Sequence, residues 1–346
     1  MQERIESSAP IGSTIRSALK FTIAIPVYNC ETYLPAAIES ALNQTLPQSD
    51  YEILVLDNCS SDKSYSIACS YGSRVAVRRH AENIGGSANF NQCFFQAQGE
   101  NIVILHADDM LPNNYLEVLA DVLDKYQDVD VVLTKCKLID CAGGIIGEGW
   151  PQPPSVGILN NALRDLALYR YAPMPTWVTR KRFVDRYGGF DLTLKYASDM
   201  DFIMKVAACS ILYYAPMTGA YRRLHNGNNG TREHKLGFDI EDSVVLLDRY
   251  LPMLNPGKLM KLRIVCRGLL LNLWTTMRYG LDGDTATVEI RSKKLLEHPY
   301  QSTVTRLLCR VLLFMCTTNH FRDACGWAFK GNSIGCSMRR AIYRYL

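Results

Sequence analysis

FTIAIPVYNCETYLPAAIESALNQTLPQSDYEILVLDNCSSD, residues 21–62, places two short apolar runs on either side of a stretch with a different period. Phe21–Val27 and residues 51–56 are rich in β-branched and large apolar side chains without polar alternation, the pattern of strands buried on both faces. Between them Leu34, Ala37, Ile38, Ala41 and Leu42 share one face of a helix predicted over 32–44. Pro35 falls in its first turn, where an amide hydrogen has no helical partner to lose. Strand, helix and strand in so short a span form the unit of a parallel sheet.

The alternation continues outward. A turn at 57–62 leads to a helix over 63–71, a strand at 74–78, a helix opened by Asn83-Ile84-Gly85-Gly86-Ser87, a strand at 101–105 and a helix over 113–126. This predicts an α/β fold with a doubly wound, mostly parallel central sheet, whose ligands bind beyond the carboxyl ends of the strands. After a strand at 131–138 the pattern loosens into a hairpin around 141–144 and a proline-rich loop at 150–154. A short strand at 177–179, helices over 181–187 and 199–209 and an extended run at 211–222 follow. From about residue 238 the chain reads as a helical region, with helices at 243–251, 256–278 and 303–317. A boundary near 236 is expected.

Composition bounds the function. The 346 residues are 48% hydrophobic and 21% charged, with a net charge of +4. That excludes a disordered or fibrous chain and gives no footprint for nucleic acid. The basic excess lies in residues 301–346, which hold seven basic residues and one acid. Twelve cysteines are scattered without a C-x-x-C pair or zinc spacing. With no signal-peptide layout in the first residues, reduced thiols and a cytoplasmic setting are expected. No apolar run of 18 residues occurs, so no spanning helix is predicted.

Acidic turns stand where such a sheet binds its ligand. Asp57 ends the second strand; Asp108 and Asp109 end the fourth. Two readings of the Asp pair stand: hard oxygen ligands for Mg²⁺ or Mn²⁺ carrying a diphosphate, or a helix N-terminal charge pair favoured by the dipole. Asp57 and its neighbours suit either a nucleoside contact or plain turn chemistry. No G-x-G-x-x-G follows the first strand and no G-x-x-x-x-G-K-[ST] occurs, against a dinucleotide-binding dehydrogenase or P-loop enzyme.

The ordered set Ile-Pro-Val-Tyr-Asn (25–29), Val-Leu-Asp-Asn-Cys-Ser-Ser-Asp (55–62), Asn-x-Gly (83–85), Leu-His-Ala-Asp-Asp (105–109), Gly-Gly-Phe-Asp (188–191), Ser-Asp-Met-Asp-Phe (198–202) and Arg-Leu-His (223–225) resembles a family 2 glycosyltransferase. The resemblance covers about residues 20–235. It implies a GT-A fold that binds a nucleotide-sugar donor and transfers its sugar, with inversion, to a saccharide or lipid-linked acceptor. It further implies a 21–236 catalytic domain after a 1–20 lead-in, with a nucleotide-sugar half at 21–130, an acceptor half at 131–236 and a basic helical region at 237–346.

Residue by residue, the resemblance implies that Pro26 and Tyr28 line the base and that Asp57 and Asn58 read base and ribose; the Asn83-x-Gly85 turn that opens a helix either brings its backbone to a phosphate or is a plain cap. Asp108 and Asp109 match the acidic end of a D-x-D-type motif, with Asp109 the metal ligand and His106 in place of the usual first acid. Asp199 matches the general base, Gly189 and Asp191 the wall beneath sugar and acceptor, and Arg223 and His225 a segment that closes on the diphosphate. Trp177 offers a sugar-stacking face or is core; Asp201 is expected to be structural. In the tail, Leu308, Val311, Leu312 and Met315 form a stripe that either packs on the domain, pairs with another subunit or lies on the inner face of the cytoplasmic membrane. A sugar nucleotidyltransferase would carry a glycine-rich basic first loop, unlike Pro26-Val27-Tyr28-Asn29. A non-catalytic binder or scaffold would not need Asp57, Asp108, Asp109 and Asp199 together.

Overall fold

The computed structural model describes residues 19–149, 152–153, 155–169, 174, 176–225 and 231–300, together with 303, 306, 307 and 310. The apolar stripe expected on the 303–317 helix, most of the 150–154 loop, and residues 226–230 lie outside them.

The first half follows the expected alternation: β1 (Phe21–Val27), α1 (Leu34–Leu42), β2 (Tyr51–Asp57), α2 (Ser64–Ser70), β3 (Ala76–Arg79), α3 (Gly86–Gln96), β4 (Asn101–Ile104) and α4 (Tyr115–Lys125). β1 pairs in parallel with β2 and β4, and β2 with β3. The odd side chains of β1, Phe21 to Val27, pack with Leu34, Ala37, Ile38 and Leu116 on one face, while Ala24 joins Phe94 and Ile104 on the other. Burial on both faces is why these strands show no alternation. The one polar interior residue of β1, Thr22, donates to Glu52 Oε1 (2.6 Å) and accepts from the Gly99 amide (2.9 Å).

The second half adds β5 (Val129–Ile139), β6 (Ile145–Glu148), β7 (Gly157–Ile158), α5 (Ala162–Tyr169), β8 (Trp177–Arg180), α6 (Lys181–Tyr187), α7 (Ser198–Cys209) and β9 (Ile211–Arg223). All strands join one sheet in the order β3-β2-β1-β4-β8-β5-β9-β7, with β6 on β5. Short β8 runs antiparallel to both β4 and β5, which restores the β4 direction in β5 and in its parallel partner β9. The sheet is therefore mixed around a parallel block, and the carboxyl ends of β1, β2, β4, β5 and β9 face the same edge. Past β4 the chain bridges to β9 through Met110 and Tyr221, which brings Arg223 to the acidic turn.

The helical region comprises α8 (Thr231–Lys235), α9 (Phe238–Leu254), α10 (Lys258–Leu281) and α11 (Thr285–Glu297). Ile240, Leu251, Ile264, Val265, Leu269 and Leu295 make its core with Leu168 of α5, while Leu246 and Tyr250 of α9 enter the sheet's own core. Fully buried Arg291 holds Asp239 through two nitrogens, at 2.7 and 3.0 Å. A buried charge is tolerated only with such pairing. No described helix is long and apolar enough to cross a membrane. The described cysteines all carry free thiols.

Candidate active site

The turns after β1 and β2 are stitched together before any ligand arrives. Asn29 adopts a left-handed conformation (φ 50°), and its Oδ1 accepts from the Ser61 amide at 2.8 Å. Asp57 is 0% exposed; its Oδ2 accepts from the Ser60 amide (3.2 Å) and lies 3.3 Å from Arg79 Nε. Its Oδ1 is buried with no hydrogen-bond partner among the described residues. An unmatched buried carboxylate oxygen is costly and marks a place where a donor is missing. Tyr28, 45% exposed, presents an open ring beside half-buried Pro26. Asn58 turns inward instead of facing a base. Its Nδ2 donates to Asn83 Oδ1 (2.9 Å) and its Oδ1 accepts from the Ile84 amide (2.9 Å), while Asn83 Oδ1 also accepts from Gly85 (2.9 Å). Asn58 and Asn83 thus hold the turn that opens α3.

After β4, Asp109 is 1% exposed, and its Oδ1 accepts from the Arg223 amide at 2.8 Å. Among the described residues its Oδ2 has no hydrogen-bond partner, lying 3.4 Å from His106 Nδ1, and His106 Nε2 has none either. Asp108 Oδ2 meets His225 Nε2 at 3.0 Å, and the His225 ring packs on Tyr33 at 4.8 Å. His106, Asp108 and Asp109 offer one ligand atom each, all within 4.8 Å of one another. Burial pulls the His106 imidazole down, but the Asp109 carboxylate beside it, reinforced by Asp108, outweighs this and raises it. One imidazole nitrogen and two carboxylates gathered this closely fit a divalent cation of mixed nitrogen and oxygen preference.

Arg223 differs from its expected part. It is 3% exposed, and its guanidinium donates to the carbonyls of Asp108 (3.0 Å), Asp140 (2.9 Å) and Cys141 (3.0 Å). Its plane also lies 4.8 Å over the Tyr33 ring. It staples the acidic turn to the β5–β6 hairpin and does not project toward a diphosphate. Because side chains alternate along a strand, Arg222 takes the other face. There its charge acts on both His106 and Asp199. The period-two rule, applied to a buried Arg223, finds this second cation from the sequence.

Asp199 stands in the first turn of α7, whose start is tied to the start of α3 by Ser87 Oγ and Ser198 Oγ (2.9 Å). Loss of water to the protein packed around it raises its carboxyl from the ordinary value, opposed by the Met200 amide and by the charges of His106 and Arg222. The side chain itself stays open to solvent. Asp199, His106 and Arg222 therefore share one cleft.

The wall beside it needs its glycines. A Cβ on Gly189 would come within 2.1 Å of Asn91 Oδ1, which accepts from the Phe190 amide (2.6 Å). Asp191 does not offer a free carboxylate to a sugar. Its Oδ1 accepts from Thr193 Oγ1 (2.7 Å) and the Thr193 amide (2.9 Å), and its Oδ2 from Arg249 Nη2 (2.8 Å). The Thr193 hydroxyl first, and the Arg249 guanidinium with it, hold its pKa at about 2. Trp177 is likewise no stacking platform. It is 4% exposed and lies against Phe202, with centroids 6.0 Å apart.

A lowered carboxylate pKa contributes stability above its unfolded value and loses it as pH falls through the folded one. Asp191→Asn is therefore expected to lower stability at neutral pH, by on the order of 2 kcal/mol. The gap should close between about pH 4 and 2, and chemical unfolding of both proteins across that range checks it. An equal gap at pH 6 and pH 2.5 would contradict the assignment.

Comparison with known proteins finds a family match for the part of the chain that carries the strand-end acids. The family model described as glycosyl transferase family 2 matches residues 22–155. Poly(ribitol-phosphate) beta-N-acetylglucosaminyltransferase TarS of Staphylococcus aureus is 30% identical over 197 residues, which cover 54% of this chain and 32% of that protein. Poly(ribitol-phosphate) beta-glucosyltransferase of Bacillus spizizenii is 33% identical over 138 residues, covering 39% of this chain and 21% of that one. The chain thus spans about a third or less of these relatives' length. The crystal structure of S. aureus TarS 1-349 superposes with a TM-score of 0.62 at 20% identity, covering 93% of this chain and 92% of that one. Its complex with UDP-GlcNAc superposes at 0.60 and 19% identity, with the same coverage. At such identity the likeness is one of fold. Residues 22–155 thus match glycosyl transferase family 2, the family that the ordered strand-end motifs resemble.

Proposed function

We propose that the chain transfers a sugar from a UDP-sugar to a hydroxyl of a polyol-phosphate or glycan polymer by a single inverting displacement. The observation that carries this reading is the set of unmatched buried acceptor atoms at two strand ends of one sheet edge, Asp57 Oδ1 and Asp109 Oδ2, with the open carboxylate of Asp199 under the influence of His106 beside Asp109. Asp57 and Tyr28 hold the nucleoside. His106, Asp108 and Asp109 hold a divalent cation, with His225 steadying Asp108. When bound, that cation offsets negative charge growing on the departing diphosphate.

Asp199 takes the proton of the acceptor hydroxyl as its oxygen bonds to the anomeric carbon. The bond from that carbon to the diphosphate breaks in the same step, and UDP leaves with the electron pair. A raised pKa makes Asp199 a better base for this purpose than an ordinary carboxylate. The residues from 131 to 236 supply the acceptor side. The donor choice is supported by the UDP-GlcNAc complex of S. aureus TarS, and the acceptor class by the poly(ribitol-phosphate) enzymes among the relatives. The free thiols suit a cytoplasmic setting, where nucleotide sugars are available.

Calorimetric titration with UDP, GDP and dTDP, with Mn²⁺, Mg²⁺ or EDTA, tests this directly. UDP is expected to bind at micromolar concentration with Mn²⁺ and to lose that binding in EDTA. Because His106 contributes imidazole nitrogen, Mn²⁺ should bind about tenfold or more tightly than Mg²⁺, which prefers oxygen and water. No binding of any nucleotide with either metal would overturn the transferase reading.

A further inference from the structure

α9 lies outside the residues matched by the family model, yet it touches the cleft from behind at several points. Asp242 Oδ2 accepts from the amides of Tyr196 (2.7 Å) and Ala197 (2.8 Å), immediately before α7. Two turns further along α9, Arg249 Nη1 lies 2.5 Å from Asp201 Oδ1 and Nη2 2.8 Å from Asp191 Oδ2. Tyr250 Oη donates to the same Asp201 Oδ1 (2.9 Å) and to the Asp201 carbonyl (3.0 Å). We propose that α9 is a buttress for the base, with Arg249 and Asp242 as positioning residues that fix where Asp199 points. The proposal rests on the reading of Asp199 as the base.

The residues on either side of Asp199 explain why this anchor is needed. Ala197 occupies the N-cap of α7 and has no side-chain acceptor, so the helix start lacks the usual self-made cap. The Asp242 carboxylate holds the entry from outside. Asp201, two residues after Asp199, is buried, and its Oδ1 accepts from both Arg249 and Tyr250. Positions 197 and 201 are thereby pinned to one rigid helix, and 199 lies between them.

Apolar packing alone leaves this interface under-determined. A cavity of about 40 Å³ lies beside the bridge, lined by Met200, Met204, Leu246, Leu247, Tyr250 and Leu251. Packing with a gap tolerates small slides, whereas a guanidinium bridging two carboxylates does not. The same guanidinium joins Asp191, so the Gly-Gly-Phe-Asp wall and the base are held in one frame. Misplacing a reacting group by about 1 Å can cost on the order of 100-fold in rate.

The test uses the full chain and UDP-N-acetylglucosamine, with UDP release measured in water and with ribitol phosphate oligomers. Arg249→Met and Asp242→Ala are each expected to lower kcat about 10- to 100-fold. KM for the donor and the calorimetric affinity for UDP with Mn²⁺ should stay within about twofold. Arg249→Lys, which retains one ion pair, should recover part of kcat. Hydrogen exchange should rise in residues 192–204 of both disruptive variants and stay unchanged in β1 and β4.

If both folded variants keep kcat within twofold, the positioning role is overturned. It is also overturned if kcat and nucleotide affinity fall together with general loss of protection, the mark of a merely structural bridge. Asp199→Asn separates the two claims. If it retains turnover, or if the wild type releases no UDP, the base reading fails. The exchange of residues 192–204 then still decides whether α9 anchors the start of α7.

Discussion

Asp199→Asn is expected to lower kcat by about 10²- to 10⁴-fold, the usual contribution of a general base, while donor affinity stays near that of the wild type. The substitution keeps the shape of the side chain. It also keeps the hydrogen bond from the Met200 amide to Oδ1 at 2.7 Å, because an amide oxygen accepts as well. What it removes is the ability to take a proton. The fold should not suffer. An acid whose folded pKa is raised destabilises the native state above that pKa, so at neutral pH the neutral amide is equal or slightly more stable. In the wild type the rate should fall on the acid side as Asp199 protonates, at a pH above that of an ordinary carboxylate. Steady-state UDP release, paired with calorimetry of UDP and Mn²⁺, measures both sides of the claim. A kcat within tenfold of wild type would remove Asp199 from the chemistry.

Much of the architecture was legible because buried parallel strands carry their own signature. Phe21–Val27 is the strand predicted from its apolar run, and Lys181–Tyr187 is the helix predicted after the short strand at 177. Direction was less legible. A four-residue run such as Trp177–Arg180 has no sequence mark that says which way it inserts, so the antiparallel β8 at the centre of the sheet was not foreseen. α11 was missed because its buried face includes Thr287, Arg291 and Ser292 as well as Val288 and Leu295. A buried arginine breaks the apolar period, and its partner Asp239 lies on another helix.

The site divides along the same line. Asp57, Asp108, Asp109 and Asp199 fall at the ends of strands and the start of a helix, positions that local patterning can place at one edge. Partners distant in sequence could not be read. Asp191 is claimed by Arg249 and Arg223 by the carbonyls of Asp140 and Cys141, contacts that only the folded chain brings together. Trp177 is buried because aromatic surface is more favourably placed against Phe202 and Phe94 than in water.

Asp109→Asn is expected to produce the complementary phenotype: Mn²⁺ affinity down by at least about 100-fold and kcat/KM down by about 10²- to 10³-fold. Several kcal/mol of charge stabilisation reside in a catalytic divalent ion, and each 1.4 kcal/mol is tenfold in rate. The amide preserves the local frame. Its oxygen can still accept from the Arg223 amide, the bond that now ends at Asp109 Oδ1 at 2.8 Å, and its NH₂ can donate to His106 Nδ1. The main charge that holds the His106 imidazole up is lost, so His106 should titrate at lower pH in the variant, where burial and Arg222 are opposed only by Asp108. Manganese binding by electron paramagnetic resonance and histidine titration by nuclear magnetic resonance read these effects without any turnover. Asp124→Asn, at a solvent-exposed carboxylate paired with Lys20, should change neither. Mn²⁺ affinity within threefold of wild type would exclude Asp109 as a ligand. The contrast with Asp199→Asn carries the argument: one variant should lose the metal and the donor with it, the other should bind both and fail to transfer. Only a cleft in which the cation side and the proton-accepting side are separate groups on facing elements yields that pair of results.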